Sequence, residues 1–590
     1  MRTHLILARA ALRIAVFAPS LFPAPLLGQG KSTPHPDQEP PSTGAALKAL
    51  ARSYYAWRDS THPVASSDAG LHTWDDRLTD YRMPAVLDRR RHVASLLEEV
   101  RAMRTAGWSR DDRIDWLLFR AQLEGTDFFG RRMTSEESDP QVYVGEVATS
   151  IFSLLKKEYA PRAVRGRAAT ARLEQVPALL ATARTNLTHP VRLFASLAIA
   201  AARGGDDLYQ GSLTTLADSM APADQERLIA AGNRAVAALH GYADWLEQRL
   251  PTMPAWKPMG EKRYNYLLSR VLLLPLDATQ VAMLGEAELA RYRGLEAMLP
   301  DPALASPDPA RAAHVPASQE EFLAAYQSRE QEIIDFLRAH DLVTLPPYLG
   351  PFLIRQLPEA FKPTSPGGFM NPPGVYDQDP SGFFFIPTYN PESGNFYIRA
   401  AIEDPRPILG HEGIPGHFLQ ISIANHLADE IRRQHGDNTF VEGWALYGEE
   451  MLLREGLYPE RSGGYGQVLR LARYRAARIG VDVNLHTGRW TFEQAVRYFM
   501  DAGGLDREAA EGEAAGAASS PTQKIGYMVG KWQIMRLLGR YRDHEGAAFR
   551  LGAFHDDLIS HGSLPVSVLE WLMLDDSTSV TQAQGLAGAP

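Results

Sequence analysis

Residues 411–417 read HEGIPGH, and the spacing inside that heptapeptide limits the local fold more than any other stretch of the chain. In the pattern H-E-x-x-H, two histidines four apart share a helix face and can grip one zinc ion while the glutamate activates water. His411 and His417 are instead six apart. At about 100° per residue an unbroken helix would aim their rings roughly 120° apart, and rings so aimed cannot share an ion. Either the two are unconnected histidines of a surface turn, or the backbone between them leaves the helix. Pro415 removes an amide donor and clashes with the preceding turn, while Gly416 tolerates dihedrals that other residues avoid. Together they are expected to loop the extra residues out of a distorted helix and return His417 to the place of the second ligand.

Catalytic zinc is commonly held by two histidines and a carboxylate, with an open position beside a general base. Glu412, next to His411, can face the bound water as that base. The segment TFVEGWALYGEE offers the third ligand. Glu442 opens an apolar, helix-periodic run 25 residues after His417, enough chain to finish one helix and return with another. An acid beside Gly443 and Trp444 needs compensation if buried, and coordination supplies it. Glu449, seven residues further, shares the face of Glu442; it either orients a ligand histidine or is a solvated helix charge, while Glu450 faces elsewhere.

Around this motif the chain reads as mainly α. ALKALARSYYAWR, RRRHVASLLEEVRAMRTAG, DDRIDWLLFRAQLEGTDFFGRR, ATARLEQVPALLATARTNL and DQERLIAAGNRAVAALHGYADWLEQRL place apolar residues three and four apart, defining a helical amino-terminal region over 44–345. From 346 to 400 proline, glycine and aromatic residues predict turns and short strands, FFFIP and NFYIRA among them. This small strand-containing element is either a structural aromatic loop or an edge that holds a peptide in extended form. Helical periodicity resumes at His411, and residues 507–520 read as a weak helix or a surface segment. The catalytic region is set at 346–580, with a flexible tail at 581–590.

With 590 residues and 45% hydrophobic content the chain can fill a large core. Its 61 basic and 70 acidic residues, net −9, form no long basic block, which argues against nucleic acid as the main partner. Cysteine is absent, which excludes disulfides, a thiolate nucleophile, iron–sulfur and cysteine-zinc sites, and lipobox acylation. Residues 1–30 carry early arginines and an apolar, small-residue stretch from Ile14 to Leu27, the pattern of a signal peptide, against an ordinary leader or buried terminal helix. A Pro/Ser/Thr-rich tether fills 31–43. Export would make the mature protein periplasmic or secreted, and no later run of about 18 apolar residues offers a membrane anchor.

HEGIPGHFLQ, FVEGWALYGEE, RYRAARIGVDVNLHTGRW and PTQKIGYMVG, in that order, resemble the bacterial domain-of-unknown-function 885 family, regarded as helical metallopeptidase-like proteins. The match is densest over about 370–545, and the helical amino-terminal part extends it over most of 45–580. The resemblance implies a fold similar to thermolysin- and neurolysin-related peptidases, with helices around a cleft, His411, His417 and Glu442 as metal ligands, and Glu412 as the water-activating glutamate. It also places a histidine and a tyrosine at His486 and Tyr527. Either can donate to the carbonyl oxygen on which charge grows in a tetrahedral intermediate, the alternatives being a helix-ending histidine and a core tyrosine. Arg475 and Arg478 are candidates to bind a substrate carboxylate or to hold an active-site acid; Arg478 matches the family's arginine before D-x-x-L-H, and an ion pair to Asp482 would serve equally. Trp444, Tyr447 and Trp490 line a subsite or pack in the core. Two departures bear on substrate recognition: Thr522 stands where the family carries glycine, and no arginine occurs from Glu508 to Ser520.

The expected activity is therefore zinc-dependent hydrolysis of peptide bonds in oligopeptides. The alternatives are a metal-dependent amidohydrolase acting on a small N-acyl or amide substrate, and a noncatalytic exported peptide-binding protein with a structural metal. No G-x-S-x-G elbow or glycine-rich dinucleotide element competes with these readings.

Overall fold

The structure is a computed structural model; it describes residues 43–357, 368–460 and 462–586. The signal-peptide segment and all of the tether but Thr43 lie outside the described residues, and Thr43 caps the first helix by accepting from the Ala46 amide.

The amphipathic segments of the amino-terminal half fold as their periodicity requires. The principal helices are α1 (Gly44–Thr61), α2 (Arg110–Asp127), α3 (Arg162–Asn186), α4 (Pro222–Arg249), α5 (Ala278–Ala297) and α6 (Gln319–Ala339). Several start where a side-chain oxygen satisfies an amide left over at the helix end: Ser109 before α2, Asp277 with Gln280 as a capping box before α5, and Ser318 before α6.

Three strands follow, β1 (Phe352–Gln356), β2 (Phe369–Asn371) and β3 (Gly382–Ile386). Their order is β1-β3-β2, with β1 parallel and β2 antiparallel to β3. FFFI thus lies in the central, wholly buried strand, where both edges are already paired. NFYIRA is not a strand. Asn395 accepts from the amides of Tyr397 and Ile398 and starts helix α7 (Phe396–Glu403), a local cap that outweighs the aromatic strand preference.

The remaining principal helices are α8 (Arg406–Glu412), α9 (His417–Ala424), α10 (Asn438–Arg454), α11 (Gly463–Thr487), α12 (Arg507–Ser519), α13 (Gly526–Glu545), α14 (Val566–Leu574) and α15 (Thr578–Leu586). The 507–520 segment is thus helical, buried along Ala510, Ala514 and Ala517. Residues 581–586 belong to α15 and not to a tail; 587–590 lie outside the described residues.

One hydrophobic core joins Leu47 of α1 and Leu118 of α2 to Phe384, Phe418, Trp444 and Trp571, so it does not divide at residue 345. A second takes its buried residues from 143–253, Tyr143, Leu173 and Leu239 among them, with Leu78 and Tyr81 packed against it. No helix among the described residues is long and apolar enough to cross a membrane.

Candidate metal centre

The heptapeptide resolves into two helices joined by a turn, not one distorted helix. At Gly413 (φ −100°, ψ −114°) α8 ends, the Ile414–Pro415 bond is cis, and α9 begins at His417 after Gly416 (φ −69°, ψ −133°). His411 therefore sits in the last turn of α8 and His417 is the first residue of α9. A Cβ on Gly416 would lie 1.9 Å from the His411 carbonyl oxygen, so the reversal is open to glycine alone. The turn is held from two sides. Phe352 of β1 packs beneath Gly413, and the buried indole of Trp444 on α10 donates from Nε1 to the Pro415 carbonyl at 2.8 Å. The sheet is thus a floor under the turn, and the centroids of the two imidazoles come to 4.7 Å at an interplanar angle of 79°.

Helix α10 brings the third group. Glu442 Oε2 lies 3.6 Å from His411 Nε2 and 3.4 Å from His417 Nε2, and one potential ligand atom from each residue falls within 4.8 Å of the others. The three residues are buried, with His411 at 2%, His417 at 7% and Glu442 at 9% exposure. Two neutral imidazole lone pairs facing a carboxylate repel it, and a cation between them removes that repulsion; the cluster can coordinate a divalent metal. Glu449, two turns further on α10, places Oε1 2.7 Å from His411 Nδ1, so the ring spans the two glutamates. Burial and Arg475 push the His411 pKa down, but the carboxylates of Glu442 and Glu449 outweigh them and hold it above its ordinary value. The site as built favours positive charge there.

Arg475 of α11 lies with Nη1 2.9 and 3.1 Å from the two oxygens of Glu449, and Nη2 reaches His411 Nδ1 at 3.5 Å. It therefore pairs with Glu449. Arg478 forms a two-point pair with Glu513 of α12, both contacts 3.1 Å, and donates to Tyr474 at 2.7 Å, so the pair expected with Asp482 is replaced by one with Glu513. Both guanidinium groups thus pair with buried or half-buried acids. Tyr527 of α13 lies parallel to the His411 ring, centroids 6.1 Å apart, with Arg475 and Arg478 over its own ring. It reaches this position because α10 and α13 touch through Gly443 and Gly530: a Cβ on Gly443 would come within 2.5 Å of the Gly530 backbone.

His486 is not brought to the site. Its Nε2 bonds the Ala517 carbonyl at 2.9 Å and its ring stacks on Tyr264, eleven residues and so about 16 Å along α11 from Arg475. Glu412 is half-buried at the end of α8 and enters no ion pair among the described residues. Glu450 does face elsewhere, into a buried cluster with Lys531, Tyr292 and Arg291. Trp444 and Tyr447 are core residues, Tyr447 donating to or accepting from His555 Nε2 at 2.7 Å. Sequence reading missed Gln523, whose Nε2 donates to Glu442 Oε1 at 3.5 Å and to the Tyr527 hydroxyl at 3.4 Å. A cavity of about 470 Å³ lies at the opposite end of α8, against Phe322, Arg329, Glu403 and Arg406, and none of the three clustered residues lines it. It does not supply the cleft expected around them.

Fold and site together define a large, mainly α-helical protein with a buried His/His/Glu cluster. The chain belongs to the family described as bacterial protein of unknown function (DUF885), whose model matches residues 63–573. No curated protein matches it. Two solved structures, each described as a "putative lipoprotein", share the fold. That from Shewanella oneidensis, also described as of unknown function, has 23% identity and a TM-score of 0.70 over 90% of this chain and 100% of its own. That from Colwellia psychrerythraea has 19% identity and a TM-score of 0.74 over 91% of this chain and 99% of its own.

Proposed function

We propose that this protein is a zinc-dependent hydrolase that uses water to open an amide bond in a small substrate, of the N-acyl or simple amide class. The observation that carries the reading is the convergence of His411 Nε2, His417 Nε2 and Glu442 Oε2; Glu412 follows His411 in the chain. Donors bonded to zinc at about 2.0–2.1 Å with tetrahedral angles lie roughly 3.3 Å apart. The observed 3.6 and 3.4 Å fit that spacing. Zinc held there by His411, His417 and Glu442 would supply a Lewis acid and a water of lowered pKa. Glu412 would be the residue to hold the proton of that water and pass it to the departing nitrogen. Tyr527 is the candidate donor to the carbonyl oxygen, and Glu449, steadied by Arg475, fixes the tautomer and tilt of His411.

Small amides are favoured over extended peptides because the cluster is buried, with none of His411, His417 and Glu442 more than 9% exposed. Peptide hydrolysis is the second reading, supported by the resemblance of the HEGIPGH and FVEGWALYGEE motifs to zinc-peptidase helices. The leader-like amino terminus and the description of both structural neighbours as lipoproteins support a periplasmic or secreted location.

Product mass spectrometry on a mixed library of N-acyl amino acids, amides and oligopeptides, with wild type and Glu412→Gln, tests this. Glu412→Gln should keep its metal and lose hydrolysis by roughly 10²–10⁴-fold. Undiminished turnover would remove Glu412 as the base. Turnover of peptides alone selects the second reading, and retention of peptides without turnover by metal-loaded wild type selects a binding protein.

A further inference from the structure

The turn between α12 and α13 is clamped far more tightly than a connector needs. Thr522 has φ +69°, in the left-handed region that a β-branched residue rarely enters and that strains its backbone. Asp482 of α11, fully buried, accepts from the Thr522 amide at 3.1 Å and the Lys524 amide at 2.9 Å, so one carboxylate holds the backbone on both sides of Gln523. The Tyr264 hydroxyl donates to the same carboxylate at 2.9 Å and keeps it in place. The Gln523 carbonyl accepts from Asn438 Nδ2 at 3.3 Å, and Asn438 is the first residue of α10, one turn before Glu442. Strained backbone that the surroundings over-determine gathers at functional sites. What this clamp presents is the Gln523 side chain, with Nε2 on Glu442 Oε1 and on the Tyr527 hydroxyl.

We propose that Gln523 is a positioning residue for the metal site: braced by Asp482, it holds Glu442 Oε1 away from the histidines and leaves Oε2 as the single carboxylate oxygen offered to the cation, while tying Tyr527 to the same frame. The inference rests on the metal-site reading above. Glu442 Oε2 is the oxygen that faces both imidazoles, and Oε1 is the one Gln523 engages. A carboxylate without that restraint can rotate and chelate through both oxygens, filling a position that water needs. The strain at Thr522 is what it costs to place the amide of Gln523 there.

The test uses the full chain loaded with zinc, comparing wild type with Gln523→Met, which keeps side-chain length but removes the donor, and with Asp482→Asn, which weakens the clamp. Zinc affinity is read by competition with a chelator, the shell by X-ray absorption, and folding by the melting temperature of the metal-free protein. Gln523→Met should weaken zinc binding about 10-fold or more and add a second carboxylate oxygen to the shell, with the metal-free melting temperature held. Asp482→Asn should weaken it in the same direction and add nothing in the double variant. Wild-type affinity and an unchanged shell in Gln523→Met would overturn the positioning role alone. A purely structural role would lower the melting temperature without a selective loss of zinc, and that result also overturns it. A wild-type chain that binds no zinc overturns the metal-site reading, and this inference falls with it.

Discussion

At the scale of single residues, the site depends on one glycine as much as on its ligands. Replacing Gly416 by alanine puts a Cβ 1.9 Å from one carbonyl oxygen and 2.5 Å from another, both belonging to residues of α8, so the backbone itself must move. We expect Gly416→Ala to cost on the order of a few kcal/mol of stability and to abolish zinc retention in the folded fraction, measured by melting temperature and metal content. A variant with normal metal content would contradict this account of the turn. The His/His/Glu cluster was legible because it rests on local relations: the Pro-Gly pair explains the interval from His411 to His417, and Glu442 opens the next apolar helical run. His486 is singled out by the resemblance alone, and its contacts with the Ala517 carbonyl and the Tyr264 ring, three turns along α11 from Arg475, are tertiary relations that no local spacing contains. Arg478 pairs with Glu513, on another helix 35 residues away, a relation that spacing along α11 cannot contain.

Between elements, α10 carries most of the connections. It offers Glu442 and Glu449 to one side, holds the heptapeptide turn through Trp444, and reaches the helix Leu551–Ser560 through Tyr447 and His555. His555 is buried, with Nδ1 2.6 Å from the Leu342 carbonyl, and burial depresses its pKa to about 4. A folded-state pKa below the unfolded value of about 6.5 means the folded protein binds fewer protons in between. The contribution is present above pH 6.5 and lost as pH falls toward 4, a span worth on the order of 3 kcal/mol. Burial raises Asp437, the cap of α10, to about 7; its contribution has the opposite sign, present at low pH and lost as pH rises through 7. His555→Gln, which can keep both hydrogen bonds without titrating, should therefore flatten the acid limb of stability against pH relative to wild type in urea titrations; parallel limbs would show that His555 does not titrate there. At this scale the helices were legible from their apolar spacing, whereas the roles of the aromatic segments were not. A strand run reveals neither which neighbours pair with it nor whether one asparagine cap will convert the next run into helix.

For the whole molecule, the boundary read at residue 345 meets a core that runs across it, from Leu47 and Leu118 to Trp444 and Trp571. A chain ending at 345 would expose the faces of α1 and α2 that the later helices cover. We expect such a fragment to lack a cooperative thermal transition by circular dichroism, while the full chain shows one; independent, cooperative folding of the fragment would restore the boundary as a domain limit. Composition fixed the broad class early, since the absence of cysteine and of any basic block removed whole categories of chemistry. It could not indicate that the sheet serves as a floor under the metal turn. The central claim is that α8, α9 and α10 converge to hold one cation through His411, His417 and Glu442. Metal content of the purified chain by mass spectrometry, after equilibration with zinc and removal of the excess, tests it directly. The account predicts one equivalent in wild type and in Glu412→Gln, and none in His417→Ala or Glu442→Ala that remain folded by circular dichroism. A wild-type chain without stoichiometric metal, or ligand variants that keep it, would contradict the account.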